Sequence, residues 1–115
     1  MPAAPMCLFC RILDGEIDAT VVAQTGSSLA FEDIDAQAPT HVLVIPRRHV
    51  QNLGELTEYA DELADLVSLA AAVAERAGLD KGYRIVANTG SEAGQSVYHA
   101  HLHVLGGRPM TWPPG

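Results

Sequence analysis

The sequence predicts an α+β domain: a mostly antiparallel sheet of about five strands, with one long helix and a short N-terminal helix. Three observations predict it. Short apolar runs rich in β-branched residues alternate with turns containing Gly or Pro, the pattern of strands joined by tight connections. One segment, residues 58–77, instead carries apolar residues at helical spacing. The chain's 115 residues fit a single domain, residues 1–115, whose core needs no disulfides.

In order along the chain, residues 1–6 form a flexible arm, and residues 7–18 a short helix and turn ending near Asp14-Gly15. Val21–Gln24 and Leu29–Ile34 flank Thr25-Gly26-Ser27-Ser28, which reads as a hairpin. Thr40–Ile45 is a β-branched strand that Pro46 ends. In the long helix Leu63, Leu66, Val67, Ala70, Val73, Ala74 and Ala77 share one face. Asp61, Glu62, Asp65, Glu75 and Arg76 take the other, and Gly78 is the stop. Tyr83–Asn88 is a strand, Thr89–Ser96 a loop and Val97–Leu105 the last strand, broken by Gly106-Gly107. The tail over residues 108–115 has three prolines and no regular structure.

Seven basic against fourteen acidic side chains give a net charge of −7. Such a chain repels the nucleic-acid backbone, and it has no basic stripe, so nucleic acid is not an expected partner. A small phosphorylated ligand stays open, because local N–H groups and histidines bind phosphate within an acidic surface. No apolar run approaches the roughly 18 residues of a membrane span, and residues 1–6 do not read as a secretory signal. Membrane is therefore not an expected partner, and the expected location is cytoplasmic. Cys7 and Cys10 are the only cysteines. Their spacing suits a metal half-site or a redox pair in a reducing compartment.

Three of the five histidines lie in Val97-Tyr98-His99-Ala100-His101-Leu102-His103-Val104-Leu105. On a strand His99, His101 and His103 share one face over about 14 Å, with Ala100, Leu102 and Val104 turned to the core. The stripe is either a solvated polar face or a set of nucleophiles, bases and ligands. Gly90-Ser91-Glu92-Ala93-Gly94-Gln95-Ser96 precedes it. Beside three histidines, such a loop offers N–H groups, an amide and a hydroxyl to an anion.

The stretch from Gly94 to Arg108 resembles the signature of the histidine-triad (HIT) superfamily. Leu29–Ile34, Ala38–Pro46, Lys81-Gly82-Tyr83-Arg84 and the ending Trp112-Pro113-Pro114-Gly115 are similar to its Hint branch. The resemblance runs from about residue 8 to residue 115 and implies the HIT-like fold. It also implies hydrolysis of purine nucleoside 5′-phosphoramidates of the AMP or GMP type through a nucleotidyl-histidine. His101 is then the nucleophile. His103, Gln95 and Ser96 meet charge on the phosphate, and Ser96 hands a proton to the leaving amine. Gly94 belongs to the same phosphate loop. Asp33 binds ribose, Phe31 and Ile34 form the base slot, Asn88 lies near phosphate and ribose, and His41 stands behind the triad in a polar relay. The chemistry requires no metal. The Fhit-like alternative is a dinucleoside polyphosphate hydrolase; the third reading is a nucleotide-binding or interaction module with incidental hydrolysis.

The resemblance extends to bacterial relatives in which zinc is held by residues matching Cys7, Cys10, His49 and His99. That is a closed tetrahedral, hence structural, set. It implies a homodimer formed through the long helix and the strand at 82–88, with Trp112 reaching the partner's site. Two departures stand out. Ala100 is smaller than the usual β-branched residue, and Asp35, where Ser is frequent, adds negative charge beside the ribose pocket.

Overall fold

Nine elements follow one another in the computed structural model, which describes residues 6–115. Apart from Met6, the arm expected at residues 1–6 lies outside the described residues. Helix α1 is Leu8–Leu13 and helix α2 is Ala60–Arg76. The strands are β1 Val21–Gln24, β2 Ser28–Glu32, β3 Thr40–Pro46, β4 Tyr83–Val86 and β5 Leu102–Gly106. Short 3-10 turns cover Leu53–Glu58 and Ser91–Ala93. The five strands form one sheet in the order β1-β2-β3-β5-β4, every pair antiparallel. This is the α+β architecture that the sequence predicts.

Strand β3 sits at the centre and is covered on both faces, which explains its nearly unbroken apolar run. On one face Ala30, Val42, Val44, Leu102 and Val104 pack with Leu66, Leu69, Ala70, Val73 and Ala74 of α2. On the other, Leu29, Phe31, Leu43 and Ile45 pack with Phe9 of α1. Each large apolar side chain buried this way contributes about 1.5–3 kcal/mol. The expected helix face needs two corrections: Val67 is 45% exposed while Leu69 is buried, and Ala77, the C-cap, is exposed. The helix starts later than residue 58 because Asn52 caps the 3-10 turn before it, its Oδ1 accepting the Glu55 N–H at 3.0 Å. It ends as expected at Gly78 (φ +74°), where Leu79 N–H bonds to Ala74 O and Gly78 N–H to Glu75 O. That left-handed closing pair satisfies two terminal carbonyls.

The last strand is also shorter than the expected Val97–Leu105, starting at Leu102. The preceding backbone is engaged elsewhere. Ala100 N–H donates to Val50 O at 2.8 Å, and His99 O accepts a side-chain proton from His101 at 2.7 Å. Strand β4 stops at Val86 for the same reason, since Val86 pairs with His103 next to the start of β5. His99 and His101 therefore leave the ladder, and only His103 of the three histidines sits in it. His103 pairs with Leu43, and His41 with Leu105, so His41 and His103 lie on the α1 face of the sheet.

Candidate active site and metal centre

The three histidines do not form a solvated stripe. His99 is fully buried, His101 is buried and His103 half-buried. Each has its ring fixed by a different partner, and those partners assign the tautomers.

His99 donates its Nε2–H to the Pro46 carbonyl at 2.7 Å, which leaves Nδ1 bare. Burial pushes this imidazole down to about 4, against the pull of the Pro46 carbonyl, so it is neutral at pH 7. The bare Nδ1 faces Cys7 Sγ at 3.4 Å, Cys10 Sγ at 3.6 Å and His49 Nδ1 at 3.1 Å; Cys10 Sγ and His49 Nδ1 are 3.3 Å apart. All four ligand atoms lie within 4.8 Å of one another. With metal–sulfur bonds of about 2.3 Å and metal–nitrogen bonds of about 2.0–2.1 Å, a tetrahedron has edges of roughly 3.3 Å (N–N) and 3.6 Å (N–S). The residues fit a tetrahedral metal ion. The local chain explains the placement. Cys7 caps α1, its sulfur accepting the Cys10 N–H at 3.3 Å, so both thiols stand at the N-terminal end of one short helix.

His101 donates its Nδ1–H to the His99 carbonyl at 2.7 Å. Its Nε2 therefore keeps a lone pair. The ring is clamped by Phe9, edge-on at 5.1 Å between centroids, and lies 5.0 Å from the His103 ring.

Behind His103 runs a chain of hydrogen bonds. The Gln37 backbone N–H donates to His41 Nδ1 at 3.0 Å. The neutral His41 ring thus carries its proton on Nε2, which lies 2.9 Å from His103 Nδ1 and 3.3 Å from Asp33 Oδ2. His103 accepts at Nδ1 and presents an Nε2–H. Burial lowers the His103 pKa to about 4; nearby His101 and His41 add to the shift and Asp33 opposes it. His103 is a neutral donor at pH 7. The second oxygen of Asp33, Oδ1, accepts the Asp35 N–H at 2.8 Å, which holds the turn after β2.

His101 and His103 open onto a cavity of about 490 Å³. Leu8, Phe9, Ile12, Ile17, Ala19, Phe31, Ile34 and Leu43 form its apolar wall, while Asp33, Asp35, His41 and Ser96 supply polar groups. Phe31 is buried and Ile34 fully exposed, so the expected slot has one fixed and one open side. The structure therefore brings Phe31, Asp33, Ile34, His41, Ser96, His101 and His103 together. Asn88, Gly94, Gln95 and Trp112 stand outside this lining.

Gln95 is engaged within its own loop and with Gln51. Its Nε2 donates to Gln51 O and Val97 O, its Oε1 accepts the Gly90 N–H, and its own N–H donates to Gly90 O. These bonds close the loop that precedes the histidines. Trp112 is 83% exposed, and the tail is held by Arg84, which donates to Thr111 O at 2.9 Å. The apolar wall from α1 escaped the sequence reading, although Leu8 and Ile12 stand four apart and so share a helix face. The Gln37 N–H escaped it because a backbone donor has no residue type to recognise.

Comparison with known proteins agrees with the geometry. The chain is 47% identical over 109 residues to an uncharacterized HIT-like protein of Synechococcus elongatus, covering 94% of this chain and 96% of that one. It is 46% identical over 111 residues to a 14 kDa zinc-binding protein of Zea mays, covering 94% and 87%. The crystal structure of a HIT family hydrolase from Legionella pneumophila superposes with a TM-score of 0.91 at 50% identity, covering 95% and 99%. The HIT domain family matches residues 14–110, and the chain belongs to that family.

Proposed function

We propose that the chain is a hydrolase of the Hint branch that cleaves purine nucleoside 5′-phosphoramidates. One observation carries the reading: the 2.7 Å bond from His101 Nδ1–H to the His99 carbonyl, which leaves a bare Nε2 on the wall of the cavity. A neutral imidazole held in one tautomer is a competent nucleophile near pH 7. The base lies between Phe31 and Ile34, and Asp33 receives the ribose hydroxyls with lone pairs not used by Asp35 and His41. The α-phosphate lies against His101, His103 and Ser96.

In the first step the lone pair on His101 Nε2 attacks the α-phosphorus. The P–N bond to the amine breaks, and its electron pair stays on the amine nitrogen. That nitrogen takes a proton relayed from water through the Ser96 hydroxyl. The His103 Nε2–H stabilises charge gathering on a non-bridging oxygen. In the second step a water oxygen bonds to phosphorus, the imidazole–phosphorus bond breaks, and the pair returns to His101. Water's proton goes to solvent. The products are a nucleoside monophosphate and a free amine.

Zinc is the metal we assign to Cys7, Cys10, His49 and His99, supported by the tetrahedral edge lengths and by the zinc-binding relative. It would fasten α1, and with it Phe9, against the sheet. Thiols that bind zinc suit a cytoplasmic, reducing setting. A homodimer joined at β4 is supported by the exposed Tyr83 and Ile85 on that sheet edge and by Val67 on α2. Trp112, exposed in the tail, would then meet the partner's cavity.

The test is amine release from an adenosine phosphoramidate, run beside a dinucleoside polyphosphate. Turnover of the first alone supports the reading. Turnover of the second alone indicates the polyphosphate hydrolase, and AMP binding with neither indicates an interaction module.

A further inference from the structure

We infer that Arg108 is a positioning residue for His103, acting through Gln37 and His41; this rests on the hydrolase reading above. Arg108 lies in the C-terminal segment, outside the cavity lining. Its guanidinium donates to the Gln37 carbonyl twice, from Nη2 at 3.0 Å and Nε at 3.3 Å, across 71 positions of sequence. Its third arm, Nη1, donates to Pro109 O at 3.1 Å and fixes the direction of the side chain. Gln37 stands in the connection between β2 and β3, where the backbone has no ladder to hold it. Gln37 is held by its N–H to His41, by its own side chain's bond to Asp35 O at 2.9 Å and, from a distant part of the chain, by the Arg108 clamp.

The consequence runs along a single line of protons. A backbone N–H donates and never accepts, so the Gln37 N–H at 3.0 Å requires a bare His41 Nδ1. That puts the His41 proton on Nε2, directed at His103 Nδ1 at 2.9 Å. His103 must then carry its own proton on Nε2. If Gln37 moves away, Asp33 Oδ2 at 3.3 Å alone favours the His41 proton on Nε2, and a fraction of the rings takes it on Nδ1. The His41–His103 hydrogen bond survives by reversing, and His103 Nε2 becomes a lone pair. A ring that donated to a phosphate oxygen would then repel it. The two neutral tautomers of an imidazole are close in energy, so the Gln37 N–H that Arg108 holds in place adds to Asp33 Oδ2, 3.3 Å from Nε2, in selecting the Nε2–H form.

The test pairs nitrogen NMR of the imidazoles with steady-state kinetics on the protein as purified. Wild type is expected to show His103 protonated at Nε2. Arg108→Ala is expected to move a measurable fraction to the Nδ1–H form and lower kcat about tenfold, with KM changing less than about twofold, the scale of one charge-assisted hydrogen bond. Arg108→Lys, which restores a cationic donor, is expected to recover most of both. An Arg108→Ala protein with the wild-type tautomer and kcat overturns the inference, and so does an effect confined to KM or to melting temperature. A wild-type chain with no phosphoramidate turnover refutes the hydrolase reading instead. The spectra then decide Arg108 alone: a shifted tautomer upholds the inference and an unshifted one overturns it.

Discussion

The carbonyl of His99 accepts the Nδ1–H of His101 at 2.7 Å, while the ring of His99 turns its own Nδ1 to Cys7, Cys10 and His49. One residue thus joins the metal-ligand cluster to the proposed nucleophile, through its ring on one side and its backbone on the other. Phe9 adds a second link, since it rides on the helix that carries the thiols and packs edge-on against both His99 and His101. The division of labour among the three histidines follows from geometry: the first ring is turned away to the cluster, the second is left bare at Nε2, and the third is made a donor.

His101→Ala is expected to lower phosphoramidate turnover by at least roughly a thousandfold, because no other bare nitrogen is held at that wall of the cavity. AMP affinity should change little, since base and ribose contacts lie elsewhere. Amine release and calorimetric AMP binding check the two halves. A mutant retaining a tenth of the wild-type rate would contradict the role given to this ring.

Protein purified without added metal is expected to hold about one zinc per chain, and Cys10→Ser to lose most of it, with melting lowered by roughly 10 °C. Elemental analysis and thermal melts measure both. Below about 0.2 equivalents, with melting unchanged by a chelator, the assignment of structural zinc fails.

Acid should destabilise the fold in a defined window. His103 has its pKa lowered from 6.5 to about 4 by burial. Between these values the unfolded chain binds protons that the folded chain does not, so stability falls as pH drops from 6.5 toward 4 and is steady above that window. Urea melts across this range should show the decline. His103→Gln, which cannot titrate, should make it shallower; an unchanged slope would remove His103 from the explanation.

The long helix, the strands and the histidine motif are legible in the sequence because each leaves a side-chain pattern. The 3.6-residue period marks α2, a β-branched run marks β3, and short apolar runs either side of a Gly-containing turn mark β1 and β2. Val67 and Leu69 were exchanged because both lie near the edge of the apolar stripe, and which one is covered depends on the sheet beneath. The extra strand length assigned to Val97–His101 followed from counting alternation in a segment whose backbone bonds are made elsewhere, by Ala100 N–H and His99 O. Gln95 was read from the chemistry of its amide. The bonds by which it closes the loop onto Gln51 and Gly90 depend on a contact 44 positions away. The Gln37 relay, made by backbone atoms, had no signal at all.

Gly107 aims the chain from β5 toward the Gln37 loop. It has a φ of +90°, and a Cβ there would meet Pro39 Cβ at 2.9 Å. Gly107→Ala is expected to cost about 1–3 kcal/mol through left-handed strain and that contact. Denaturant titration measures it. Stability within about 0.3 kcal/mol of wild type would show that the turn relaxes freely.

Turnover by this route requires a transient bond between His101 and phosphorus. A reaction with an adenosine phosphoramidate, quenched rapidly under conditions that preserve phosphorus–imidazole bonds and mapped by peptide mass spectrometry, tests it directly. The expected result is an adenylate on the peptide containing His101, appearing and decaying at rates that support turnover. An adenylate on a different residue, or turnover with no adduct, would contradict it.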